Sequence, residues 1–202
     1  VKILIGTPIH RVKDYAVKRW LDCVRNLDYD NFELMLVDNS PDLEYQEYLK
    51  SIIPGSIKYS LVHVDINYTD PEERVAMARE EIRRQVLDND FVFWFSWECD
   101  VMAPPDVLKK MLKYTDEFKV VHHLSPDRID PENSIDNSFG LSLIHRDVLE
   151  KFPFAFQWGR IDTAIPARWC GTDSWFNKRI IKEGGTFIQL AGVVRPLKHL
   201  NE

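Results

Sequence analysis

Cysteine is scarce in this chain, and the three present (Cys23, Cys99 and Cys170) form no CxxC pair. An odd, scattered set supports neither a disulfide framework nor a zinc knuckle, fits a reducing compartment, and reads as three small buried hydrophobes. Glycine-rich phosphate loops are missing too: there is no GxGxxG and no Walker A sequence, which excludes the usual dinucleotide and P-loop sites. There is no excess of basic residues. The net charge is −6 and the pI about 5.6, the wrong sign for a nucleic-acid binder. Long apolar runs are absent as well. The densest, Phe91-Val92-Phe93-Trp94-Phe95, is closed by Ser96 and then by charge, far short of the ~18 residues a membrane helix needs. Val1 to Gly6 is too short for a signal-peptide core. These absences lead to the expectation of a cytoplasmic domain with no integral membrane segment, peripheral attachment to a membrane being left open.

What is present is an ordinary globular composition, 45% hydrophobic and 29% charged over 202 residues, enough for one domain. Strand and helix patterns alternate from the start. Lys2 to Thr7 reads as a short strand. Val17, Trp20, Leu21, Val24 and Leu27 then recur at helical spacing behind Asp14. Phe32 to Val37 is a second strand ending in the turn cluster Asp38-Asn39-Ser40-Pro41, and Leu43 to Ile53 a helix stopped by Pro54-Gly55. Ile57 to Val64 alternates as a strand does. The next helix has the clearest start, with Asp70 as cap, Pro71 at the first position and Glu72 and Glu73 at the positive end of the dipole. It runs to about Leu87. Phe91 to Phe95, apolar on both faces, reads as a central parallel strand. The pattern predicts an α/β, mostly parallel central sheet flanked by helices.

Beyond Asp100 the pattern loosens. Pro104-Pro105 opens a short helix, Lys119 to His123 is a strand, Asp127 to Asn137 a polar loop, and Ser138 to Ile144 a further strand before a helix near Asp147. Phe152 to Trp169 is aromatic without period and reads mostly as core. A helix from about Thr172 to Glu183 precedes Gly184-Gly185 and a last strand, Phe187 to Leu190. No repeat or linker interrupts the chain. The reading is a single domain over 1–202, with a nucleotide-fold-like front half and a more irregular back half.

Open α/β sheets bind ligands at the C-terminal ends of their strands. Acidic residues stand at three such ends: Asp38, Asp65 and the pair Glu98/Asp100. Without a phosphate loop, a phosphorylated ligand needs another source of positive charge, and a carboxylate-bound divalent metal provides it. In extended chain, Glu98 and Asp100 would share one side and could share one cation. The plain alternative is a solvated turn after a strand.

Several segments in order resemble one family: Ile3-Leu4-Ile5-Gly6-Thr7-Pro8, Leu36-Val37-Asp38-Asn39-Ser40, Ala76-Met77-Ala78-Arg79, Trp94-Phe95-Ser96-Trp97-Glu98-Cys99-Asp100, Gly171-Thr172-Asp173-Ser174-Trp175-Phe176 and Lys198-His199-Leu200. Together they resemble GT-A-fold glycosyltransferases, most closely those of family 2, over nearly the whole chain. The resemblance implies a GT-A-type nucleotide-diphospho-sugar transferase fold, with a nucleotide-binding half at 1–100 and an acceptor-binding half at 101–202. It also implies metal-dependent transfer of a sugar from a nucleotide-diphosphate donor (UDP favoured) to a hydroxyl acceptor, with inversion, a retaining variant on the same fold being left open. It implies that Thr7, Pro8 and Asp38 line the nucleotide pocket, with Asp38 accepting from the base, and that Arg79 faces the nucleotide or its phosphates. It places Asp100 on Mn²⁺ or Mg²⁺, Glu98 beside it supporting the metal or the donor ribose, His199 near metal or diphosphate, and Asp173 as the base that activates the acceptor. Two positions depart from the pattern: Glu98 stands for the commoner Asp, and Thr172 for the usual Glu.

Each residue also has a structural alternative. Asp38 can begin an Asx-turn, Asp173 can serve backbone amides at a helix N-terminus, Arg79 can join Glu80, Arg83 and Arg84 in a surface network, and His199 can be a tail residue without a ligand. His122 and His123, adjacent in a strand, point to opposite faces and read as structural. A nucleotidyltransferase would share the acidic front half, but the loop Gly6 to Lys13 carries one glycine. A non-catalytic nucleotide-sugar-binding domain is the third reading.

Overall fold

A computed structural model of the chain describes residues 1–64, 71–123, 139–154 and 172–200. The order is β1 (Ile3–Ile9), a 3-10 turn (Arg11–Lys13), α1 (Asp14–Arg25), β2 (Phe32–Asp38), α2 (Glu44–Ile52), β3 (Tyr59–His63), α3 (Pro71–Asp88) and β4 (Phe93–Trp97). Then follow β5 (Val101–Met102), α4 (Val107–Leu112), β6 (Val120–His123), β7 (Leu141–His145), α5 (Arg146–Lys151), α6 (Thr172–Lys182), β8 (Ile188–Leu190) and β9 (Lys198–His199). Asp65, Asp70, the Asp127–Asn137 segment, Cys170 and most of the Phe152–Trp169 stretch lie outside the described residues.

Seven strands form one sheet in the order β3-β2-β1-β4-β7-β6-β8. All neighbours in β3-β2-β1-β4 are parallel, and β7 alone runs against the rest. The mostly parallel sheet is therefore as expected, with one correction. β4 is central but has a parallel neighbour, β1, on one edge only; the other edge pairs antiparallel with β7. Apolar residues on both faces report burial between two helical layers, which strand direction does not alter. A second correction concerns the end of the chain: Phe187 to Leu190 is not the last strand, because β9 pairs with β5 in a separate two-stranded ribbon.

The pleat sorts alternate side chains into two cores. Ile3, Ile5, Leu34, Leu36, Phe93, Phe95 and Trp97 face one layer with Val17, Trp20, Leu21 and Val24 of α1. Leu4, Met35, Val37 and Trp94 face the other, with Ala78, Ile82 and Val86 from one stripe of α3. Gly6 lets α3 come this close: a Cβ there would collide with Ile82 and lie 2.6 Å from Trp94 Nε1. Trp94 Nε1 donates to the Gly6 carbonyl at 2.9 Å. On the second face Phe154 and Phe176 stack at 4.5 Å, with Phe139 edge-on to both. His122 fastens the same region, bonded to Ser142 Oγ at 2.7 Å and Asn177 Oδ1 at 3.1 Å. Phe176 and Asn177 belong to α6, so these contacts hold Asp173 in place at its N-terminal end. His123 accepts from the Val194 amide at 3.0 Å. Both histidines are buried and structural. Among the described residues no helix is long and apolar enough to cross a membrane.

Candidate functional site

A cavity of about 490 Å³ opens beside the C-terminal ends of β1, β2 and β4, within the ~300–1,000 Å³ usual for ligand pockets. It sits where strand order reverses, since the chain runs from β1 out to β3 and returns on the far side of β1 as β4. Pro8 lines it from the end of β1, His10 and Lys13 from the loop that follows, Asn39 from the loop after β2, Arg74 and Arg79 from α3, and Glu98 and Asp100 from the turn after β4.

The acid-x-acid segment is not extended chain. The Val101 amide donates to the Glu98 carbonyl at 3.0 Å, closing a turn, and Glu98 N donates to the Gly140 carbonyl at 3.0 Å. The turn still converges both carboxylates. Asp100 is fully buried, and pairing of Val101 with His199 in the β5–β9 ribbon sets the imidazole beside it. His199 Nε2 lies 3.3 Å from Asp100 Oδ2. One ligand atom each from Glu98, Asp100 and His199 falls within 4.8 Å of the others. Lys13 Nζ also bonds Asp100 Oδ2, whereas the buried Oδ1 makes no hydrogen bond. Burial alone would lower the Lys13 ammonium, but the hydrogen bond and charge of Asp100, with Glu98 behind it, hold it above the ordinary lysine value. Burial pushes the Glu98 carboxyl up; Asp173 and Asp100 add to this, and Arg79 only partly opposes it.

Arg79 links this cluster to α6. It is 3% exposed, bonds Asp173 Oδ1, approaches Glu98 Oε1 at 3.7 Å, and lies over the Phe139 ring at 4.9 Å. Arg79 is buried rather than on the surface, and Glu80 pairs with Arg83 and Arg84. Asp173 Oδ2 accepts from the Phe139 amide at 2.9 Å, so both of its oxygens are engaged.

No family model matches the sequence, and no curated protein matches it either. Solved structures do. A mannosyltransferase from Pyrobaculum calidifontis, in complex with GDP-Man and Mn²⁺, aligns at 17% identity and TM-score 0.70 over 95% of this chain and 55% of its own. S. aureus TarS 1-349 with UDP-GlcNAc aligns at 15% identity and TM-score 0.66, over 100% of this chain and 60% of that one. Glucosyl-3-phosphoglycerate synthase from Mycobacterium tuberculosis, with Mn²⁺, UDP and phosphoglyceric acid, gives 13% and 0.64, over 100% and 71%. The chain thus spans little more than half the length of the first two. Its fold is GT-A.

Within the GT-A frame, the residues singled out in the sequence separate into two groups. Pro8, Arg79, Glu98 and Asp100 line the cavity, and His199 and Asp173 join them through Asp100 and Arg79. Thr7 and Asp38 do not reach it. Thr7 is fully buried, its hydroxyl donating to the Trp97 carbonyl at 2.7 Å. Asp38 is fully buried too, with Oδ1 accepting from Ser40 N at 2.9 Å in an Asx-turn and Oδ2 lying 3.1 Å from His63 Nδ1. The wall position on that loop belongs to Asn39, whose buried Oδ1 makes no hydrogen bond. Sequence reasoning passed over Asn39, Lys13, His10 and Arg74. The only signal for Lys13 was a charge in the loop after the first strand. His10 is lowered from the ordinary histidine value, by burial first and Arg74 second, and its Nδ1 accepts from the Val12 amide at 3.2 Å.

Proposed function

We propose that this chain is a glycosyltransferase domain which binds a nucleotide-diphosphate sugar in the cavity with a divalent cation and transfers the sugar to a hydroxyl acceptor. One observation carries the reading: Glu98, Asp100 and His199 converge at the strand ends, and a fully buried carboxylate oxygen of Asp100 has no partner. An orphaned buried acceptor is costly unless a ligand satisfies it. Two carboxylates and an imidazole suit Mn²⁺ or Mg²⁺, and the nitrogen donor favours Mn²⁺. Such a cation, held by Asp100 and His199 with Glu98 beside them, supplies electrostatic stabilisation of the charge that builds on a departing diphosphate.

The remaining roles follow from position. Arg74 and Arg79 give the cavity positive charge for phosphate oxygens. Asn39 and Pro8 border the space for the base, while Asp38 acts on the base indirectly by shaping the turn that presents Asn39. Asp173, held by the Phe139 amide through one oxygen, takes the proton of the acceptor hydroxyl as it attacks the anomeric carbon from the face opposite the leaving group, giving inversion. Arg79 must give up part of its hold on Asp173 for that step, and the donor diphosphate offers the guanidinium another partner. The test is a thermal-shift series with UDP- and GDP-sugars, with Mn²⁺ or EDTA, followed by product analysis with sugar and polyol acceptors. UDP-sugars with Mn²⁺ are expected to stabilise most. Stabilisation by neither nucleotide under any metal condition would refute the reading.

A further inference from the structure

We propose that Lys13 is a resident counter-cation that competes with the divalent metal for Asp100, so that metal binds tightly only together with a nucleotide diphosphate. The inference rests on the metal site of the preceding reading and adds an order to its filling. Lys13 closes the 3-10 turn after β1, lines the cavity, and places its ammonium on Asp100 Oδ2, the oxygen that also faces His199 Nε2 at 3.3 Å. Asp100 has no exposed surface, while the Lys13 side chain is 37% exposed. The carboxylate is therefore fixed and the lysine has a path out. A buried carboxylate with Glu98 close by needs a positive partner, and Lys13 provides one from the chain itself.

A divalent ion shared by Asp100 and His199 would stand close to the Lys13 ammonium whichever carboxylate oxygen it took, because Lys13 and His199 face the same Oδ2, and two cations at such range repel. Metal entering alone must therefore displace Lys13 into the cavity with no anion to receive it. A diphosphate entering with the metal would change this, because its oxygens would give the displaced Nζ an anionic partner within the cavity that Lys13 already lines. Lysine suits such an exchange: it is a compact charge on a flexible stem, without the fixed fork of arginine. The consequence is positive coupling between metal and nucleotide that passes through one side chain.

The measurement is Mn²⁺ binding to the purified chain, followed by the EPR signal of free Mn²⁺, without nucleotide and with saturating UDP or GDP. In Lys13→Met the competing cation is gone, and Mn²⁺ alone should bind roughly ten- to hundredfold more tightly than to wild type, the equivalent of one hydrogen bond to a charged group. The gain on adding nucleotide should shrink in the variant. Lys13→Gln keeps a donor on Asp100 without the charge and gives the same test if the Met variant does not fold. Mn²⁺ affinity equal to or below wild type in a folded variant overturns the Lys13 proposal and leaves the metal site intact. No Mn²⁺ binding by any form, even with UDP or GDP, removes the metal site and the proposal together.

Discussion

Asp100→Asn separates a residue kept for its ligand from one kept for the fold. In the structure Asp100 gives one oxygen to Lys13 and His199 and leaves the other without a partner, all in a fully buried position. Substitution weakens the contact with Lys13. A hydrogen bond between charged groups is worth about 1.5–3 kcal/mol, and because the Lys13 side chain is 37% exposed and partly screened, its weakening costs about 1–2 kcal/mol. The same substitution removes a buried charge with an unsatisfied oxygen, next to Glu98, a relief of about 1–3 kcal/mol. The two effects nearly cancel, and in EDTA the variant should melt within a few degrees of wild type or slightly above it. The ligand response should differ sharply. Nucleotide diphosphate plus Mn²⁺ at ~100 times the dissociation constant stabilises by about 2.7 kcal/mol, and for a chain of this size each kcal/mol moves the midpoint by about 2–4 °C. Wild type should therefore gain roughly 5–11 °C from the pair, and Asp100→Asn should gain little beyond what nucleotide alone gives. Differential scanning fluorimetry in EDTA and in Mn²⁺ reads both quantities. A metal-dependent shift that survives in the variant would refute the ligand assignment. A loss above about 3 kcal/mol in EDTA, the scale of a broken buried ion pair, would make Asp100 a structural residue.

Asp173→Asn should fold and bind donor normally yet transfer sugar at least a hundredfold more slowly, since general-base catalysis contributes ~10²–10⁴ in rate; near-normal turnover with acceptor present would exclude it as the base. Gly6→Ala should cost about 1–3 kcal/mol by overpacking, because Ile82 and Trp94 leave no room for a Cβ, and urea unfolding would show it as a lower midpoint at unchanged slope. Burial lowers His122 from 6.5 to about 4. A histidine whose folded value is depressed contributes stability that is complete above 6.5 and lost as pH falls toward 4, about 3 kcal/mol in all. His122→Gln, which preserves polar contacts with Ser142 and Asn177, should flatten that part of the stability–pH curve; an unchanged slope between pH 6.5 and 4 would assign it to other groups.

The regular elements were legible because their signals are local. The α1 stripe, the apolar β4 run and the Pro71 start of α3 each follow from spacing or capping within a dozen residues. The site was legible only in part. Glu98 and Asp100 stood out by following a buried strand, but the turn that joins them has no signature distinct from extended chain. The β5–β9 ribbon that carries His199 to Asp100 is two residues long on each side, too short for any period, and its partners are distant in sequence. The direction of β7 was hidden for a different reason: a strand covered by helices on both faces is apolar whichever way it runs. Asp38 shows the limit of position alone. It ends β2 on the ligand side, as expected, yet its carboxylate turns inward to Ser40 and His63, and the neighbouring Asn39 takes the wall.

The formal charges around the cavity floor explain why a site of this kind keeps cations already in place. Glu98, Asp100 and Asp173 are three carboxylates against Lys13, Arg74 and Arg79, so the formal charges balance before any ligand enters. Each acid already has a partner: Lys13 on Asp100 and Arg79 between Glu98 and Asp173. A metal added to this arrangement makes the cluster positive and strands an ammonium, which disfavours metal alone. A nucleotide diphosphate added alone meets Glu98 and Asp100 head-on, which disfavours the nucleotide alone. On the reading proposed above, the two together would correct each other, since the diphosphate would accept Lys13 and Arg79 while the metal took over Asp100. Release of Arg79 would also open one oxygen of Asp173 to an acceptor hydroxyl. The base would then be available only when a donor is bound, so on this proposal filling of the donor site and readiness for transfer would be linked through two side chains, Lys13 and Arg79.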